Sequence, residues 1–204
     1  MGNKIDLEPI LEEHVSALCL FLDSMGISSN IDPEEEVIGE HLRERFFKLE
    51  GMNIDGIRYT IFQISEEQYG GMTDDWKAAC EYWVERDIGR EKKNLNNLEA
   101  RVKKREKGLF KKEMVDFSWV GGRIADVLNQ DTSLREPLLG ELLTARTTGS
   151  DADIWITPKE KGAWITGCAT NGHKNKKIPL LLPSKDAFRA YDRIAKHIRD
   201  YTIL

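Results

Sequence analysis

The hydrophobic pattern of this chain changes its period near Pro137, and that change limits the folds that are open to it. Upstream of Pro137, apolar residues recur mostly every three or four positions, which is typical of helices. Downstream, short extended runs separated by turn residues are typical of strands. We therefore predict an α+β fold with a mainly helical, acidic region with one short strand over residues 1–136 and a strand-rich module over residues 137–204.

The upstream region combines several helical patterns with one strand pattern. Helices are predicted over residues 5–25, 33–50 and 112–130, a helix or helical hairpin over residues 73–108, and a strand over residues 56–65. The second helix is predicted from Asp32-Pro33-Glu34-Glu35-Glu36, which offers an N-cap, a proline in the first turn and carboxylates at the positive end of the helix dipole. The strand is predicted because residues 56–65 are rich in β-branched and aromatic side chains.

The downstream module contains four short runs with strand character and one amphipathic helix. The four strands are predicted over residues 141–148, 153–157, 163–170 and 177–182. Ser184 is the predicted N-cap of the closing helix, whose apolar stripe runs from Ala187 to Tyr201. The module is therefore predicted as a β-β-β-β-α antiparallel sheet with one face covered by one helix.

Charge is distributed unevenly along the chain. Residues 1–72 contain 5 basic and 15 acidic residues, whereas residues 141–204 contain 11 basic and 7 acidic residues. A basic segment favours binding to a polyanion, and the acidic segment would either moderate that binding or meet a different partner. Two solvated surfaces that happen to differ in charge are the alternative. The basic run from Arg101 to Lys107 is predicted on a helix, either as a phosphate-contacting face or as an ordinary solvated face.

Other features exclude several classes of protein. The three cysteines Cys19, Cys80 and Cys168 are far apart and odd in number, which argues against a disulfide framework and a CxxC metal site. No apolar run reaches the roughly 18 residues of a membrane span, and no secretory signal is recognised at the N-terminus. We expect a cytoplasmic protein with no membrane association, no metal and no cofactor.

The order and loop lengths of residues 140–201 resemble a PUR repeat, in the same broad fold group as the Whirly proteins. The matching pieces are GELLTARTT, DIWITPKEKG, AWITGCATNGHKNKK, IPLLLP and FRAYDRIAKHIRDY. This resemblance implies binding of single-stranded DNA or RNA on the sheet face that the helix leaves open. It also implies pairing of two repeats, and because no second unit is found upstream, a homodimer is expected.

Candidate nucleic-acid-binding residues follow from strand alternation and loop position. If Ile154 and Ile156 pack beneath the helix, Trp155 faces outward together with Thr157, and Trp164, Thr166 and Cys168 share one face of the next strand. The outward tryptophans would stack on bases, and loop lysines would contact phosphates. The predicted set is Trp155, Lys159, Lys161, Trp164, Lys174, Lys176 and Lys177. Packing of the tryptophans in the core or in a dimer is the alternative.

Two further functions stay open at this point. In one, the module serves only for dimerisation and the acidic helices dock a protein partner. In the other, Asp151 and Asp153 form a DxD motif of a nucleotidyltransferase-like or nuclease-like enzyme that binds Mg²⁺. The following strands lack the additional acid that this chemistry requires, so no catalytic residue is assigned.

Overall fold

The computed structural model of the protein describes residues 6–39, 41–68, 71–108, 113–147, 153–173 and 180–201. These residues form α-helices and β-strands in the following order: α1 (Glu8–Asp23), β1 (Ser29–Ile38), β2 (Leu42–Leu49), β3 (Gly56–Gln68), β4 (Gly71–Glu85), α2 (Lys92–Leu98), β5 (Ala100–Lys107), β6 (Glu113–Gly121), α3 (Ile124–Gln130), a 3-10 turn (Thr132–Leu134), α4 (Arg135–Thr147), β7 (Trp155–Lys159), β8 (Gly162–His173) and α5 (Lys185–Asp200). The predicted α+β class is confirmed.

All eight strands belong to one antiparallel sheet in the order β1-β2-β3-β4-β8-β7-β5-β6. The first four strands form a meander, and β5 and β6 form a hairpin at the opposite edge. The last two strands, β7 and β8, lie between these two groups, where β8 pairs with β4 and β7 pairs with β5. The predicted boundary at residue 136 therefore does not separate two sheets, because strands from both sides of it pair with one another.

The helices pack on one face of this sheet and create the core. The C-terminal helix α5 buries a stripe that includes Phe188, Tyr191, Ile194 and Ile198, all fully removed from solvent. The Tyr191 ring stacks on the ring of Tyr82 from β4 with centroids 4.5 Å apart. The predicted N-cap is confirmed, since the Ser184 hydroxyl accepts a hydrogen bond from the Ala187 amide.

The first helix packs on the meander through the apolar stripe that the sequence predicts. Leu11, Val15, Leu18 and Leu22 are buried, and Gly26 follows with a φ of 73°, a conformation that glycine adopts without strain. The same helix buries His14, whose Nδ1 lies 2.7 Å from the hydroxyl of Tyr59 on β3. The prediction of α1 and of a strand beginning at Gly56 is confirmed.

The prediction of a mainly helical upstream region is wrong. Residues 33–50 contribute to the β1–β2 hairpin, in which the register is irregular between Asp32 and Val37, and this irregularity accommodates Pro33. Residues 71–85 form β4, where Ala78, Cys80, Tyr82 and Val84 alternate on the buried face. The basic run falls on β5. Of the helix predicted over residues 112–130, most of residues 112–121 form β6, whereas residues 124–130 form the helix α3.

The four-strand prediction for the downstream module is also wrong. Residues 141–147 belong to α4, where Leu138 and Leu142 face the core at helical spacing. The two central strands are confirmed as β7 and β8. Residues 177–179 lie outside the described part of the chain, and residues 180–182 are not in a strand. The module therefore contributes two described strands, and the sheet is completed by β1–β6.

Candidate nucleic-acid interface

One face of the sheet is not covered by any helix in the described part of the chain. The helix-covered face includes Ile57, Tyr59 and Ile61 of β3, and the opposite face includes Gly56, Arg58 and Thr60. Cross-strand pairs extend this alternation over neighbouring strands, from Phe46 opposite Arg58 to Trp164 opposite Trp83. We call this surface the open face, and the candidate site lies on it.

The open face carries Phe62 and four further aromatic residues, which we refer to together as the aromatic platform: Phe46, Trp83, Trp155 and Trp164. The rings of Trp83 and Trp164 have centroids 4.9 Å apart and are tilted by 47°. The Phe46 ring meets Trp164 edge to face at 6.3 Å. Trp155 is 41% exposed on β7, directly opposite Thr166. Phe46 is buried and supports the other rings, whereas Trp83, Trp155 and Trp164 reach the surface and offer flat apolar groups of the kind on which nucleobases stack.

Two glycines allow the platform rings to lie close to the backbone. A Cβ atom at Gly56 would lie 2.2 Å from the ring of Phe46. A Cβ atom at Gly162 would lie 2.4 Å from the ring of Trp83 and 2.4 Å from the carbonyl oxygen of Val84. Only glycine fits at these two strand positions without displacing a neighbour, and close packing of this kind is a recognised use of glycine in strands.

The cation at the centre of the open face is neutralised within the protein. Arg58 places its guanidinium carbon 3.9 Å from the centroid of Trp164. It also donates to the Glu81 carboxylate at 2.9 Å, and the other Glu81 oxygen accepts from the Thr166 hydroxyl at 2.9 Å. Arg58 therefore orders the platform and is already compensated by a carboxylate.

Basic side chains at alternate positions of β5 form the charged part of the site. Arg101, Lys103 and Arg105 are exposed, and within the described residues none of them is joined to an acidic side chain. We call these three residues the basic strip. Alternate residues of a strand are roughly 6.7 Å apart, so the strip presents a regular row of positive charge. Arg101 pairs with Trp155, which brings the strip against the aromatic platform.

The intervening residues of β5 serve the fold. Ala100 and Val102 are buried, Lys104 pairs with Asp153 at 2.9 Å, and Glu106 accepts from Arg146 of α4 at 2.8 Å. Lys104 and Glu106 thus have partners, whereas the three residues of the basic strip form no ion pair with the part of the chain that the structure describes. The sequence pattern of this basic run predicts a helix, which is wrong. The signal for a strand was its alternation, with a basic residue at each odd position from Arg101 to Lys107.

An open cleft of about 780 Å³ lies where β5 and β7 diverge. These strands share only two Cα pairs among the described residues, Ala100 with Ile156 and Arg101 with Trp155. The cleft is lined by Lys103, Val120 and Thr157 in addition to Arg101 and Trp155, and the acidic Glu99 and Asp153 also line it. Asp153 is paired with Lys104. The cleft therefore places cationic and aromatic groups side by side in a space within the usual size range of ligand sites.

The structure places the predicted site residues in three different ways. Trp155 and Trp164 lie together on the open face, Lys159 is exposed at the end of β7, and Lys161 is exposed in the turn that follows. The remaining three, Lys174, Lys176 and Lys177, lie outside the described residues. Trp83 was missed and the basic run from Arg101 to Lys107 was assigned to a helix, because both segments also fit a helical spacing.

The predicted position of Cys168 on the face of Trp164 and Thr166 is wrong. Ala79 pairs with Ala169, but Glu81 pairs with Thr166, so Gly167 and Cys168 together oppose Cys80. This β-bulge inserts one residue into β8 and returns Cys168 to the core, where it is 4% exposed. A strict two-residue alternation cannot anticipate such an insertion.

The structure offers little to the DxD interpretation. Asp153 forms its ion pair with Lys104, and Asp151 lies outside the described residues. No group of three or more His, Cys, Asp or Glu side chains in the described ranges is arranged to hold a metal ion. Among the helices that are described, none has the length and apolar character needed to cross a membrane.

Comparison of the chain with models of protein families, with curated proteins and with solved structures gives no match.

Proposed function

We propose that this protein binds single-stranded nucleic acid on the open face of its sheet, between the basic strip and the aromatic platform. The observation that supports this proposal most directly is the pairing of Arg101 with Trp155 on adjacent strands. A single-stranded polynucleotide alternates anionic phosphates with flat bases, so its binding site needs cations next to aromatic rings. The cleft between β5 and β7 supplies both.

The direction of the side chains supports the same function. The side chains of the basic strip lie on the face away from the helices. They form no ion pair within the described residues, whereas Lys104 and Glu106 of the same strand are each paired. A row of uncompensated cations repels itself and therefore suits an anionic ligand that neutralises it. Lys159 and Lys161 extend the positive charge to the end of β7.

A single strand fits this surface better than a duplex does. Stacking on Trp155 requires a base whose face is exposed, and the bases of a duplex are already stacked on one another. Each stacked base contributes on the order of 1 to 3 kcal/mol, which is independent of the sequence because every base has a flat face. The proposed ligand is therefore single-stranded DNA or RNA.

The proposed assembly is a homodimer, as the resemblance to PUR repeats implies. In that assembly a second copy contacts this chain through a surface other than the edges of β7 and β8, since β5 and β4 pair with them. Light scattering of the purified protein tests this part of the proposal. A mass of twice 23.4 kDa supports the dimer, and a mass of 23.4 kDa contradicts it.

The decisive experiment is a titration of labelled 12-nucleotide DNA and RNA oligonucleotides with the protein, followed by fluorescence anisotropy at several salt concentrations. Contacts with about three phosphates predict a slope near −2 in a plot of log K against log [salt]. Tryptophan emission, recorded in the same titration, should be quenched because Trp155 stacks on a base. Absence of binding at low salt would overturn the proposal and favour a function in protein interaction.

A further inference from the structure

A second cavity on the open face lies away from the basic strip and beside the aromatic platform. Its volume is about 600 Å³, and Phe46, Trp83 and Trp164 form its apolar wall. The wall is held in place from both sides, by Gly56 beneath Phe46 and by Gly162 beneath Trp83. Arg58 covers another part of Trp164. The cavity is thus an ordered aromatic surface open to a flat ligand.

Carboxylates and lysines both line this cavity, whereas the basic strip carries only cations. Glu50, Asp55 and Glu85 line it together with Lys48 and Lys161. Asp55 is engaged, because it accepts hydrogen bonds from the Glu85 amide at 2.6 Å and from Arg199 at 2.5 Å. The carboxylates of Glu50 and Glu85 are exposed and form no ion pair within the described residues. They are free to accept hydrogen bonds from a ligand.

We infer that this cavity receives one guanine base of the bound strand. The inference rests on the proposed function and adds a preference for one base. Trp83 and Trp164 supply the stacking surface, and the free carboxylates of Glu50 and Glu85 supply acceptors at its edge. The strand would follow the basic strip with its phosphates and place one base past Trp155 into this cavity.

The hydrogen-bonding pattern of the bases selects guanine. A carboxylate only accepts hydrogen bonds, so it binds best to a base that presents two adjacent donors. The Watson–Crick edge of guanine presents N1–H next to the N2 amino group, whereas adenine and cytosine present one amino group beside an acceptor. Thymine and uracil place N3–H between two carbonyl oxygens, which a carboxylate repels.

The test compares oligo(dT) 12-mers with 12-mers in which one thymine is replaced by guanine, at either end or in the centre. At the favoured position guanine should increase affinity by about fivefold to tenfold, in line with a bidentate contact that is open to water. Inosine, which lacks the N2 amino group, should recover less than half of that gain. Guanosine alone is titrated in parallel, with quenching of tryptophan emission as the readout.

Two variants make the test specific. The double variant Glu50→Gln with Glu85→Gln should abolish the gain from guanine and leave oligo(dT) binding unchanged or slightly tighter, because it removes only negative charge. The matched control is Glu136→Gln, an exposed glutamate of α4 on the helix-covered side, which should keep the full gain.

The outcomes separate this inference from the proposed function. If oligo(dT) binds in a salt-dependent manner but guanine adds nothing at any position, the inference is overturned and the proposed function stands. A gain that persists in the double variant also overturns the inference. If oligo(dT) fails to bind at low salt, the proposed function fails, and the guanosine titration then decides whether the cavity binds the base by itself.

Discussion

The guanidinium group of Arg58 lies against the indole of Trp164, with its central carbon 3.9 Å from the ring centroid. The same group donates to Glu81, which in turn accepts from Thr166. These contacts join β3, β4 and β8 across the middle of the open face. The position of the Trp164 ring in the aromatic platform therefore depends on the partly buried ion pair between Arg58 and Glu81.

Replacement Arg58→Met should therefore destabilise the fold. It leaves the Glu81 carboxylate with Thr166 as its partner and removes a cation from the Trp164 ring, at a cost of about 1 to 2 kcal/mol. Urea unfolding measures this loss. The control Arg90→Ala breaks an exposed ion pair with Glu160 and should change stability by less than about 0.5 kcal/mol. Equal effects of the two variants would contradict the role assigned to Arg58.

Adjacent lysines of β5 should have different effects on nucleic-acid binding. Lys103 belongs to the basic strip, whereas Lys104 is paired with Asp153 on the other side of the strand. We expect Lys103→Ala to reduce the salt slope by about 0.7, the contribution of one phosphate contact with a single strand. Lys104→Ala should leave the slope unchanged. Anisotropy titrations of both variants measure it, and identical slopes would show that the strip does not contact phosphates.

The two platform glycines should differ in their tolerance of a methyl group. In Gly162→Ala the new Cβ meets the backbone oxygen of Val84 as well as the Trp83 ring, so β4 or β8 must shift. In Gly56→Ala it meets only the Phe46 ring, which can move. Overpacking of the first kind costs about 1 to 3 kcal/mol, and we expect a smaller cost for Gly56→Ala. Thermal unfolding ranks the two variants, and a larger loss at Gly56 would contradict this account.

Thiol reactivity should separate Cys19 from the other two cysteines. Burial raises the pKa of both the Cys80 and the Cys168 thiol to about 12, so at pH 8 about one molecule in ten thousand carries the reactive thiolate at either position. Cys19 is only partly buried. A thiol reagent should label one cysteine rapidly in the folded protein and three in denaturant. Rapid labelling of more than one native thiol would contradict the buried positions.

Acidification should weaken the attachment of α5 to the segment before α4. Burial alone would raise the pKa of the Asp131 carboxyl, but hydrogen bonds from Ser133, His197 and Arg193 outweigh burial and hold the pKa well below its usual value. A carboxyl whose folded pKa is depressed stabilises the fold above its unfolded pKa, about 3.9, and loses that contribution as the pH falls towards the folded value.

The variant Asp131→Asn tests this contribution. Asparagine can still cap the 3-10 turn, but it loses the charge-assisted bonds to Arg193 and His197, so the variant should be less stable at pH 6 by about 1 to 2 kcal/mol. The difference from the native sequence should shrink between pH 5 and pH 3. Denaturant unfolding at each pH measures it, and a difference that grows on acidification would have the wrong sign.

Sequence patterns predicted the elements in which local and tertiary preferences agree. The helices α1 and α5 have continuous apolar stripes and recognisable ends, and β3 is rich in β-branched residues. The pattern failed at β4, because Trp76, Ala79, Cys80 and Trp83 fit helical spacing as well as Ala78, Cys80, Tyr82 and Val84 fit strand spacing. Hydrogen bonding to β3 and β8 stabilises this segment as a strand. A short stretch of sequence does not reveal such pairing, because β8 lies far away along the chain.

The candidate site was predictable in part for the same reason. The outward position of Trp155 follows from alternation with Ile154 and Ile156, both of which are buried. The contribution of Arg101 depends on β5 lying beside β7, although more than fifty residues separate them in sequence. The position of Trp83 depends likewise on the crossover that brings β8 next to β4. The sequence therefore indicated which residue types could bind, but it did not predict the order of the strands that brings them together.

The same crossover has a consequence for the synthesis of the chain. β4 ends at Glu85, but β8, which completes its hydrogen bonding, begins only at Gly162, 77 residues later. At about 5 to 20 residues per second, the ribosome needs roughly 4 to 15 s to supply that partner. During this interval the nascent meander carries an open edge along a fifteen-residue strand, which is a template for intermolecular pairing. The yield of folded protein should therefore depend on how fast residues 86–161 are translated, although none of the described residues in this range belongs to a strand that pairs with β4.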